Sequence, residues 1–111
     1  MIDPRFYYKA VLHTDGSGRV TTVMAYQTLK DGRLRAVKWS APRGAWEYAP
    51  AIVSPYLYDP EYQERAEQID RSTAERLSRE FLQSELPDER ILTEMFDEGQ
   101  RMGWKFGPPR Q

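Results

Sequence analysis

The sequence predicts an α+β fold: an N-terminal antiparallel β-meander of about three strands, followed by two or three C-terminal helices packed on one face. Two patterns carry this. Residues 6–39 are rich in β-branched and aromatic types broken by glycine turns, whereas 61–86 lack Gly and Pro and repeat apolar residues at steps of three and four. Strands followed by helices favour segregated layers over βαβ winding. With 111 residues and 13.0 kDa the chain has room for one core, so 1–111 is read as a single domain.

In chain order, Phe6 to His13 reads as a strand that stops at the turn-tolerant run Thr14-Asp15-Gly16-Ser17-Gly18. Arg19 to Leu29 is the second strand, and the Asp31-Gly32 pair after it favours a tight primed turn. Arg33 to Trp39 is the third. Its alternation sets Arg33, Arg35, Val37 and Trp39 against Leu34, Ala36 and Lys38; neither face is cleanly apolar, which places it at a sheet edge or under a loop. Residues 40–58 read mainly as a structured aromatic and proline-rich loop, with Trp46 to Val53 offering room for a short edge strand.

The helical part is expected over 59–103. Asp59-Pro60 is a helix-start pair, and Tyr62, Ala66, Ile69, Thr73, Leu77 and Phe81 form one stripe. Asp70 and the Ser72…Glu75 capping-box pattern offer a restart, so one kinked helix and two separate helices both fit. Asp88 caps a further helix with Ile91, Leu92, Met95, Phe96 and Met102 inward, ended by Gly103. The tail 104–111 should be extended, with Trp104 and Phe106 packed back on the domain.

Composition narrows the chemistry. No cysteine is present, which excludes disulfides, thiolate metal sites and a Cys nucleophile, and one histidine excludes multi-His centres within one chain. Leu, Ile, Val and Phe number only 21, so seven Tyr and three Trp must supply part of the core. No stretch approaches the roughly 20 apolar residues of a membrane span, and the start Met-Ile-Asp-Pro-Arg does not read as a signal peptide, so a cytoplasmic protein is expected. Neither cofactor nor metal is implied. The acidic residues around 59–70 and 88–98 lack EF-hand spacing and read as solvated helix faces. His13, Asp15 and Ser17 lie close in sequence, but a glycine-rich hairpin loop reads as a turn before it reads as a triad, and no enzyme activity is expected.

Two binding classes remain. Charge divides along the chain, with +4 in residues 1–55 and −5 in residues 56–111. The first reading is a small protein-binding module, of inhibitor, immunity or adaptor type. In it Glu64, Glu67, Asp70 and Glu75 steer a basic partner protein, while Arg43, Trp46, Tyr48, Tyr56 and Tyr58 anchor it. The alternative is a nucleic-acid-associated protein using Arg33, Arg35, Lys38 and Trp39, rings for bases and cations for phosphates. A sequence pI of 5.9 and the acidic second half weigh against it. A homodimer, formed through the mixed third strand or through the surplus aromatics, is the other partner considered.

Overall fold

A computed structural model describes residues 5–109. Five antiparallel strands form one sheet in the order β4-β3-β2-β1-β5, with β1 Tyr7–Leu12, β2 Val20–Thr28, β3 Leu34–Ser40, β4 Ala45–Tyr48 and β5 Ala66–Ile69. The meander is as expected. Its first hairpin loop holds Gly16 and Gly18 at φ 76° and 78°. The second turn differs from the primed form: Leu29 N–H donates to Arg33 O, leaving a three-residue loop in which Gly32 alone takes positive φ, 85°. Asp31 Oδ1 stabilises that loop by accepting the Arg33 N–H at 3.0 Å.

β3 is not an edge strand. It pairs with both β2 and β4, and Ala36 and Val37 are fully buried on opposite faces of the sheet. Its mixed pattern arises because both faces are covered. On one face Tyr8, Ala10, Val23, Ala25, Val37 and Tyr48 pack against α3 (Arg71–Leu77) and α4 (Glu89–Met102) through Ala74, Leu92 and Phe96. On the other, Val11, Met24, Tyr26 and Ala36 lie beneath Val53 of α1 (Pro50–Tyr58).

The expected loop 40–58 therefore holds an edge strand and a helix. Pro50 occupies the first position of α1, where its missing donor costs nothing, but Pro55 lies inside. Two prolines in nine residues hid the element, and burial of Val53, with Tyr56 and Leu57 packed beside it, sustains it. A crossover then runs from one sheet edge to the other: β4, α1, the short helix α2 (Pro60–Gln63) and β5.

The stripe from Tyr62 to Phe81 is interrupted. Residues 66–69 pair with the open edge of β1, with Leu12 N–H donating to Arg65 O, and helix resumes only after Asp70 caps α3 through the Thr73 N–H at 2.8 Å. α3 widens into a π-helical turn, Ser78–Leu82, ended by Gln83 at φ 53°. α4 has the expected caps, with Asp88 accepting from Ile91 N–H and Gly103 at φ 73°. Leu92, Phe96 and Gly99 are its buried positions; Ile91 and Met102, expected inward, are exposed. In the tail Trp104 packs against the core, whereas Phe106 does not and is 71% exposed. Positions 110 and 111 of the expected tail lie outside the described residues.

Candidate partner-binding surface

The structure divides the nine residues expected to contact a partner. Tyr48 is a core residue, 4% exposed, with its ring edge-on to Phe96 at 6.2 Å. Trp46 is half-buried: its Nε1 donates to Ser84 Oγ at 3.1 Å and its ring meets Trp39 edge-on at 5.5 Å. Both burials follow from the shortage of aliphatic residues, which makes large rings the available filling. Arg43 donates to Pro108 O at 2.9 Å and lies 3.4 Å from the buried Glu47 carboxylate, so it holds the tail to β4.

The acidic residues also separate. Asp70 is a helix cap, and hydrogen bonds from Thr73 hold its carboxyl below the usual value. Glu75 lies between Arg71 at 3.7 Å and Arg79 at 3.9 Å. Glu67 is exposed on β5, opposite Ala10, so alternation turns it toward the sheet face that carries α3 and α4.

Tyr56, Tyr58 and Glu64 remain, and the crossover gathers them with residues the sequence reading had not singled out. Tyr58 is 61% exposed at the end of α1. Tyr56 meets Tyr62 edge-on at 5.4 Å, and Arg65 stacks over Tyr62 at 5.8 Å instead of pairing with Glu61. Tyr7 stacks on Tyr26 at 5.6 Å, a contact set by their direct pairing across β1 and β2. Burial raises the Tyr26 pKa, and the phenols of Tyr7 and Tyr58 add to the rise. Glu61 and Glu64, on and just after α2, have no ion-pair partner among the described residues. Lys9 donates to Tyr56 O at 3.5 Å and Gln63 Nε2 donates to Leu57 O, tying strand and α2 to the end of α1. The result is a tyrosine corner rimmed by free carboxylates. Only strand register joins Tyr7 and Tyr26 to it, and register is the information a sequence pattern lacks.

The four residues of the nucleic-acid reading do not share a surface. Arg33 Nε donates to Asp31 Oδ2 at 2.6 Å. Arg35 is 14% exposed at its side chain: it donates to Gln27, Asp97 and Gln100 and stands 5.1 Å over the Phe96 ring. Trp39 packs with Trp46, while Lys38 lies on the opposite face, paired in register with Met24 and Glu47. Burial lowers the Lys38 pKa and Glu47 opposes the shift.

His13 belongs to its hairpin loop. Asp15 N–H donates to Nδ1 at 3.2 Å, and the Asp15 carboxylate lies 3.1 Å from the same nitrogen. Ser17 is engaged as well, its N–H donating to Asp15 and its hydroxyl accepting from Arg19 N–H. These contacts, Ser17 foremost, bring the Asp15 carboxyl down to about 2. These contacts close a turn. Among the described residues no three metal-ligating side chains cluster, and no helix is long and apolar enough to cross a membrane. No family model, curated protein sequence or solved structure matches the chain.

Proposed function

We propose that this protein is a stoichiometric protein-binding module, of inhibitor, immunity or adaptor type, that docks a basic partner on the tyrosine corner in the cytoplasm without catalysing a reaction. The observation that carries the reading is Tyr58. A large ring left 61% exposed in a chain short of apolar area has the character of an interface anchor. Glu61 and Glu64 supply charge that no described residue pairs with, which would steer a cationic surface toward the rings. The nucleic-acid reading lacks this support, since Arg35 is spent inside the fold and Lys38 lies on the other face.

The test is capture from source-organism lysate at about physiological salt, where nonspecific charge contacts are screened. A single near-stoichiometric protein should survive nuclease. It should be lost with Tyr58→Ala plus Tyr62→Ala, and Glu61→Lys plus Glu64→Lys should slow association about tenfold at low salt. Undiminished capture by both double variants would remove the tyrosine corner from consideration.

A further inference from the structure

A groove of about 270 Å³ opens between the start of α1 and the end of α4, away from the tyrosine corner, and Arg33, Tyr48, Pro50, Gln100, Trp104 and Lys105 line it. Arg33, Tyr48, Gln100, Trp104 and Lys105 bring side-chain donors to it, and no acidic side chain lines it. The Tyr48 ring is buried, while its hydroxyl is open to solvent and has no hydrogen-bond partner among the described residues. Gln100 Oε1 already accepts from Arg35 at 3.2 Å, which leaves its NH₂ to donate elsewhere. Lys105 has no ion-pair partner among the described residues. Arg33 commits its Nε to Asp31 and keeps its terminal nitrogens.

α1 begins at the groove with Ala49 as its cap residue, no capping side chain and no acid in its first turn, and the Lys105 carbonyl accepts its Ala51 N–H at 2.9 Å. At the end of α4 the carbonyls of Gln100 and Gly99 accept from the N–H groups of Gly103 and Trp104. Burial raises the Tyr48 pKa against the pull of Arg35 and Arg33, so the phenol stays protonated at neutral pH and can donate. Trp104 and Pro50 give the groove apolar walls.

We propose that this groove binds a small ligand with an oxyanion, carboxylate or phosphate, on a flat apolar body. The oxyanion accepts from the Tyr48 hydroxyl, the Gln100 amide and Lys105, and the body lies against Trp104. Three lining donors then converge on one group, and the ring contact supplies affinity that a bare ion lacks.

The test is an amide and indole NMR titration of the full chain with benzoate, phenyl phosphate and inorganic phosphate in parallel. Saturable shifts are expected at the Trp104 indole N–H, Gly99, Gly103 and Lys105, with phenyl phosphate tighter than inorganic phosphate. Tyr48→Phe keeps the ring and removes one charge-assisted hydrogen bond, so it should weaken binding about tenfold while leaving urea stability unchanged. Lys105→Gln, at an exposed position, should weaken it severalfold. The proposal is overturned if neither organic probe saturates by about 10 mM, beyond which even a fragment-sized ligand counts as unbound. It is equally overturned if Tyr48→Phe and Lys105→Gln bind as the wild type does, or if inorganic phosphate binds as tightly as phenyl phosphate.

Discussion

Gly99 lies where α4 passes closest to the sheet, and a methyl group there would overlap the Tyr48 ring. In an open helix, Gly→Ala gains about 1 kcal/mol. Here Tyr48 is held between the sheet and Phe96, so overpacking, at about 1–3 kcal/mol, outweighs that gain. Gly99→Ala should therefore lower urea stability, and a more stable variant would show that the ring moves freely. Arg35 raises the opposite point about reading residues by type. Its composition-level role was a cation for phosphate, yet it bonds Gln27, Asp97 and Gln100 from a nearly buried position. Arg35→Ala is expected to cost about 3 kcal/mol by chemical denaturation. Arg35→Lys should recover only part of that, because an ammonium cannot fork to two acceptors.

At the scale of elements, the segments legible in the sequence were those whose local signals agreed with their neighbours. α4 has an Asp cap, an apolar stripe and a terminal glycine, and its boundaries follow from these alone. The meander was legible through its turns. β5 was not, because its helical periodicity is genuine and the β1 edge overrides it by pairing with residues 66–69. Asp70 stands at that junction, accepting from both Thr73 N–H and the Ser72 hydroxyl. Asp70→Ala should lower Tm by a few degrees. Asp70→Asn, which can still cap, should lower it less; equal losses in the two variants would mean that charge at the helix start, not the hydrogen bond, is what counts. α1 was missed for the reverse reason: its local signals are poor and its packing good.

For the molecule as a whole, acid behaviour follows from three turn and cap carboxylates. Asp15, Asp31 and Asp70 all titrate below their ordinary value of 3.8 in the folded chain. The unfolded chain then binds more protons between about pH 4 and 2, so the stability they contribute is present above that window and is lost as pH falls through it. Thermal unfolding across pH 2–5 should show the slope, and Asn at all three positions should flatten it. The candidate surface was legible only in part at this scale. Tyr56, Tyr58 and Glu64 come from the region the sequence marked, but Trp46, Tyr48, Asp70 and Glu75 were diverted to core, cap and ion-pair duties that depend on what the fold places opposite them. The crossover that assembles the corner also sets an order of synthesis. β1 is an interior strand whose outer neighbour is β5, residues 66–69. On the ribosome, at roughly 5–20 residues per second, that edge stays unpaired for about 3–10 s after β1 emerges. The nascent meander thus carries an open hydrogen-bonding edge until its own downstream segment closes it, which is the interval in which a chaperone or a second nascent chain can reach it.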